Sequence, residues 1–254
     1  MSELRDLAFV PPRAPSAAEW AAMTPEERAK VVEALPAAMT DAEASPPEGD
    51  AHYEAKNDAR ETLREWFKRL GRDVYVAAEL TVYYPAEARF APDVLVVYDV
   101  EVKERTKWVV SAEGKGLDWV LEVHYGGDRK KDAQTNVARY ARLGIPEYFI
   151  YDRAAQRLIG YRLPSPDATS YAPIVPQVGR YPSAVLDLEL VIEQGRLRFY
   201  HASAELLAPR DLAEKLGRLV EEIAAERDAE AERARAEAER ARAEAERARA
   251  EAER

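Results

Sequence analysis

Asp93 follows Pro92 at the head of a strand-like run, Val94 to Val100, and Glu122 lies inside a second run, Trp119-Val120-Leu121-Glu122-Val123, with basic residues close behind it. Carboxylates about thirty residues apart can meet only if their strands are neighbours, a common arrangement for sequential elements. Glu122 stands between Leu121 and Val123. A carboxylate buried there unpaired is costly, so it calls for a cation, a hydrogen-bond donor or a metal. Paired hard oxygen ligands suit Mg2+ or Mn2+. Such an ion lowers the pKa of bound water and stabilises charge developing on a phosphate. No Gly-rich phosphate loop, Ser/His/Asp set or zinc-ligand spacing competes with this reading.

The elements that must position these residues follow from local patterning. Thr24-Pro25-Glu26-Glu27 supplies an N-cap, an N1 proline and a capping-box glutamate, predicting a helix over 24–35. Pro36 and the stretch Ala44 to Gly49 break the chain. A second helix is expected from Asp50, as N-cap, to about Leu70, with an apolar stripe including Tyr53, Leu63, Trp66, Phe67 and Leu70 and a stop at Gly71. Short β-branched or aromatic runs predict strands at Val74–Val76, Leu80–Tyr84, Val94–Val100, Trp108–Val110, Trp119–Val123, Tyr148–Tyr151, Leu158–Leu163 and Leu197–Tyr200. One helix, over about 128–143, interrupts them before Gly144 and Pro146. Strands around a mid-domain helix, with another helix in front, predict an α/β fold with a mixed sheet.

The order of short motifs is specific. Val82-Tyr83-Tyr84, Ala91-Pro92-Asp93-Val94, Glu113-Gly114-Lys115, Asp118 to Val123, Lys131-Asp132, Tyr140 to Phe149 and Tyr151-Asp152 together resemble the Uma-type (Uma-two) restriction endonuclease family, within the PD-(D/E)XK nuclease superfamily. The resemblance spans roughly residues 50 to 200 and implies a restriction-endonuclease-like mixed β-sheet flanked by helices. It further implies that Asp93 and Glu122 are catalytic metal ligands for Mg2+ or Mn2+, joined by the backbone carbonyl of Val123. Glu54 and Glu79 are further acidic candidates, Glu54 weighing toward a solvated surface glutamate and Glu79 evenly balanced.

Two departures stand out. The superfamily lysine two residues after the Glu falls on His124, and the Ser and helix Lys of Uma-type relatives fall on Tyr125 and Asn136. A neutral Asn cannot supply the charge that orients water and faces the phosphate. Lys130, Lys131 or His124 would then supply it, His124 as base or ligand, against the plainer reading of a hydrogen-bonded histidine at a strand end. His52 and His201 carry no functional signal. Asp128 reads as a helix cap beside a Gly126-Gly127 turn, Lys115 as part of a turn, and Tyr140 as packing with its hydroxyl free to face the pocket. Trp108, Trp119, Tyr148 and Phe149 read as core.

The 254 residues carry 47 acids and 37 bases, a net charge of −10. Residues 1–50 hold ten acids against four bases, residues 226–254 ten against eight, and residues 51–225 27 against 25. The middle is nearly neutral, so the acidic total does not exclude a nuclease, though it argues against tight nonspecific DNA binding. Absence of cysteine excludes disulfides and thiolate sites and fits a reducing compartment. No apolar run reaches membrane length and the first residues lack a signal-peptide pattern, so a cytoplasmic protein without a membrane partner is expected.

Ala-Glu-Arg-Ala-Arg-Ala-Glu repeats at 231–237, 238–244 and 245–251 predict a long C-terminal helix. Leu212, Leu216, Leu219 and Ile223 form its better apolar seam. This segment reads either as a coiled-coil stalk, through which residues 212–254 meet a second copy or a partner helix, or as a solvated single helix. Three segments are therefore expected: 1–49, Pro/Ala-rich with a short helix; 50–205, the restriction-endonuclease-like domain; and 210–254, the helix. The expected activity is metal-dependent hydrolysis of nucleic-acid phosphodiesters, DNA before RNA. The alternative is a nuclease fold that has lost catalysis and works through its terminal helix.

Overall fold

The computed structural model describes residues 11–40, 43, 49–124 and 130–252, the side chains of 130–134 excepted. Expectations resting on Tyr125, on Gly126 to Arg129 including Asp128, and on the Lys130 and Lys131 side chains lie outside the described residues. The chain divides into two compact units, Met1–Ala208 and Pro209–Arg254.

In chain order, the first unit contains α1 (Ala17–Ala22), α2 (Pro25–Ala34), α3 (Gly49–Arg69), β1 (Val74–Ala77), β2 (Thr81–Tyr83), β3 (Val94–Tyr98), β4 (Lys107–Val109) and α4 (Val110–Glu113). It continues with β5 (Trp119–His124), α5 (Lys130–Arg142), β6 (Glu147–Asp152), β7 (Arg157–Arg162), β8 (Ala172–Pro173), β9 (Tyr181–Ser183), β10 (Leu188–Glu193), β11 (Arg196–His201) and β12 (Ala204–Leu206). The main sheet runs β1-β3-β5-β6-β7-β8. It is mixed: β5 and β6 are parallel, joined by α5 as the crossover, while β3 lies antiparallel to β5. A second sheet orders β12-β11-β10-β9, and β2 pairs with β4 in parallel.

The uninterrupted apolar strands read from the sequence are those buried on both faces. One core packs α3, through Ala59, Leu63 and Phe67, on Val94, Val96, Leu121 and Val123. The opposite core packs Tyr140 and Ile145 with Leu95, Val97, Val120, Tyr148 and Ile150. Trp108, Trp119, Tyr148 and Phe149 are all fully buried.

The helix at 24–35 forms as its cap predicts: the Thr24 hydroxyl accepts from the Glu27 amide and the Glu27 carboxylate accepts from the Thr24 amide at 2.8 Å. The second helix departs in detail. It starts at Gly49, so Asp50 lies in its first turn, and Tyr53 (64 % exposed) and Leu70 (48 %) fall outside the buried stripe. Gly71, at φ +64, ends it by turning its amide and that of Arg72 back onto Lys68 and Phe67.

Residues 11–40, part of the segment read from the sequence as Pro/Ala-rich with a short helix, pack against β2 and β4. Ala14 and Leu35 bury against Tyr83 and Val109, and the Tyr83 hydroxyl donates to the Pro36 carbonyl at 2.7 Å. The second unit is one 44-residue helix, α6 (Pro209–Ala252), with no buried residue.

Candidate active site

The antiparallel register pairs Val94 with Leu121. One residue further along, that register sets Asp93 opposite Glu122. The Asp93 amide points to Glu122 Oε2 at 3.4 Å, and the Val123 amide donates to Asp93 Oδ2 at 2.7 Å. Two neighbouring strands thus bring the acids together, as their spacing required. Glu122 alternates onto the α5 face, where the Tyr140 hydroxyl donates to its Oε1 at 2.8 Å. The sequence left Tyr140 between packing and pocket, and it does both: its ring is 1 % exposed and its hydroxyl holds the acid.

The two acids differ electrostatically. Burial, then the Asp93 charge, push Glu122 well above the ordinary carboxylate value, against the Tyr140 hydroxyl and the Asp93 amide. Burial also works to raise Asp93, but His52, the Val123 amide and the charge of Lys56 outweigh it and hold Asp93 below its ordinary value. Of the two acids, Asp93 is therefore the one shifted toward ionisation and Glu122 the one shifted toward protonation.

His52 and Lys56 are the site residues that sequence reasoning missed. His52 Nε2 stands 3.2 Å from Asp93 Oδ1. Lys56, one helical turn on, is buried and ion-paired with Glu79. A signal existed: 52, 56, 59, 63 and 67 mark one face of α3, and Ala59, Leu63 and Phe67 are its buried apolar part. Two basic residues extending an apolar stripe are bound to meet an acid or a solvent opening.

The remaining candidates are spread around this centre. Val123 buries its side chain and contributes its backbone. Glu79, at φ +52, places its amide on the Pro92 carbonyl at 3.0 Å, but its carboxylate is taken up by Lys56. His124 ends β5, half-buried, its carbonyl accepting from the Arg153 amide at 2.8 Å. Glu54 lines a separate small cavity with Asp58, Arg153 and Arg196. Asn136 is half-buried on α5. Lys115 clamps the Tyr98 carbonyl at 2.7 Å and Asp118 at 3.1 Å, and His201 lies against Trp66.

Among the described residues no group of three or more His, Asp and Glu side chains is placed to hold a metal. The donor chemistry of the pair still fits a hard divalent ion. Asp93, just ahead of β3, confronts Glu122 within β5, and the repulsion between two ionised carboxylates is what a cation relieves.

A mixed sheet flanked by helices, with Asp93 just ahead of β3 meeting Glu122 within β5, makes this an α/β protein. The chain belongs to the Uma2 family, described as "Putative restriction endonuclease", whose family profile matches residues 40–195, more than half its length. Among solved structures it is similar to a "putative nuclease belonging to DUF820" from Anabaena variabilis ATCC 29413, at 15% identity and a TM-score of 0.47, covering 59% of this chain and 82% of that one. None of the curated proteins compared matches it. No described helix is long and apolar enough to cross a membrane.

Proposed function

We propose that this protein hydrolyses nucleic-acid phosphodiesters at the Asp93–Glu122 pair with Mg2+ or Mn2+ as cofactor. The observation that carries this reading is the register of β3 and β5, which sets the two acids against each other. When bound, the divalent ion supplies an acidified water and positive charge facing the phosphate. Asp93, Glu122 and the Val123 carbonyl would hold it. The chain's own contribution is pre-organisation: the Val123 amide and His52 fix Asp93 from two sides, and Tyr140 fixes Glu122. Lys130, Lys131 and His124 remain the candidates for facing substrate from the β5–α5 side.

The test is cleavage of plasmid DNA, single-stranded DNA and RNA by the purified chain with Mg2+ or Mn2+, alongside an Asp93→Ala/Glu122→Ala double variant. Cleavage by the wild type that falls to background in the double variant supports the site. Equal cleavage by both overturns it.

We infer in addition that α6 pairs with a second copy of this chain. Leu212, Leu216, Leu219, Val220 and Ile223 are 40–66 % exposed, an open apolar stripe. Taking Leu212 and Leu219 as d and Leu216 and Ile223 as a, Glu222 falls at g and Arg227 at the following e, so a parallel pair brings opposite charges together twice. The alanine repeats run one residue out of this frame, which confines the seam to the first turns. Light scattering should give two chains per particle for the full chain and one for Leu216→Glu/Leu219→Glu. A single chain in both overturns the pairing.

A further inference from the structure

We propose that Lys56 is the cationic catalytic residue of this site and that Glu79 is its positioning residue, not a metal ligand. The inference rests on the nuclease reading above and adds a residue to it. A carboxylate pair that is to accept a phosphodiester needs positive charge of its own to face the phosphate and the attacking water. The helix position expected to carry a lysine holds neutral Asn136. The basic groups the structure does bring to Asp93 come from the opposite side of the sheet, on α3.

Three observations place Lys56 there. Its side chain is 6 % exposed, and lysine is almost never buried unless paired. Its ion-pair partner, Glu79, donates its amide to the carbonyl of Pro92, the residue before Asp93, at 3.0 Å. His52, four residues earlier on the same face and so adjacent on the helix surface, touches Asp93 Oδ1 at 3.2 Å, which brings this face of α3 to the acid.

Glu79 explains how the amine is held. Its backbone occupies the left-handed region at φ +52, uncommon for a residue with a side chain, and its amide is tied to the carbonyl of Pro92, the residue before Asp93. Its carboxylate, 65 % exposed on the rim, accepts the Lys56 ammonium. An exposed acid gripping a buried lysine beside Asp93 sets where that lysine points. It also leaves Glu79 engaged by a cation already, unlike Glu122, which among the described residues faces another acid. In the reaction the Lys56 ammonium orients the water and neutralises charge on the phosphate oxygens, keeping its proton throughout.

The experiment separates the two assignments of Glu79. Mn2+ binding by titration calorimetry and DNA cleavage rates are measured on the full chain for wild type, Glu79→Gln, Lys56→Gln, Lys56→Arg and the Asp93→Ala/Glu122→Ala double variant, with circular dichroism melts on each. The expected result is undiminished Mn2+ affinity in Glu79→Gln and Lys56→Gln, with kcat lowered about 10²-fold in Lys56→Gln and partly recovered in Lys56→Arg. Loss of Mn2+ affinity in Glu79→Gln, matching the double variant, makes Glu79 a ligand and overturns its positioning role. Full kcat in Lys56→Gln overturns the catalytic role. Where Lys56→Gln melts early, Glu79→Gln decides instead: it releases the lysine from the solvent side, and unchanged kcat there sinks the proposal. A wild type that neither binds Mn2+ nor cleaves removes the underlying reading as well, an outcome distinct from all of these.

Discussion

Glu122 and Glu147 occupy adjacent strands of one sheet, three register positions apart, and both are acids in apolar runs, Glu147 buried and Glu122 half-buried, yet their surroundings are opposites. Glu147, 0 % exposed, accepts from Arg162 Nε at 2.6 Å, from the Ser183 hydroxyl and from the Ala184 amide at 2.9 Å. A cation and two neutral donors complete it, and it ties β6 to β7 and to the end of β9. Glu122 receives a tyrosine hydroxyl and a backbone amide, while the charge acting on it, among the described residues, is that of Asp93. Burial alone therefore does not mark a functional acid. An acid left facing a like charge inside the fold is stable only with a proton or a cation, and that incompleteness is what a metal site requires.

This contrast can be broken by substitution. Glu147→Ala strands Arg162 and the buried Ser183 hydroxyl, and should lower stability by about 3 kcal/mol in urea melts. Glu122→Gln in metal-free buffer removes a repulsion and should leave stability level or higher. An equal loss in both variants would erase the distinction.

A third carboxylate extends the comparison to the N-terminal segment. Glu43 is held by the Arg89 guanidinium, which outweighs burial, with help from the Thr40 hydroxyl and amide, and its carboxyl falls from the ordinary 4.5 to about 2. Because the folded value lies below the unfolded one, this contribution is complete above about pH 4.5 and disappears as pH falls toward 2. Melts of wild type and Glu43→Gln over that interval should converge as acid removes the pair. Parallel curves would show that Glu43 is not what acid releases.

How much of this was legible in the sequence depends on range. Caps and stops are local, so Thr24-Pro25-Glu26-Glu27 and Gly71 placed helix ends closely. The doubly buried strands around Asp93 and Glu122 announced themselves as β-branched runs, and the family resemblance supplied the pairing of the acids. β10, by contrast, went unread. Leu188-Glu189-Leu190-Val191-Ile192-Glu193 belongs to a half-exposed hairpin with β11 through Gln194-Gly195, where alternation is imperfect. His52 and Lys56 were missed for another reason: their meaning lies in contacts 41 and 23 residues away, with Asp93 and Glu79, that no window on α3 contains. Leu212 to Ile223 were legible as a stripe but not as exposed, since periodicity alone does not give exposure.

The smallest effect is the most diagnostic of the charge on Glu122. Tyr140→Phe removes a hydroxyl that donates to Glu122 at 2.8 Å, and Tyr151→Phe removes one that donates to the neutral Gly195 carbonyl at 2.6 Å. Both rings are fully buried, so packing losses are matched and the hydrogen bond is the difference. A bond to a neutral acceptor contributes about 1 kcal/mol, and one to a charged group about 1.5–3. If Glu122 keeps its proton against Asp93, the two variants should lose the same small amount in mildly acidic, metal-free buffer. A loss for Tyr140→Phe about twice that for Tyr151→Phe would mean that Glu122 is ionised without a metal. The like-charge confrontation separating Glu122 from Glu147 would then be relieved by some other group, and Lys56 is the first to examine.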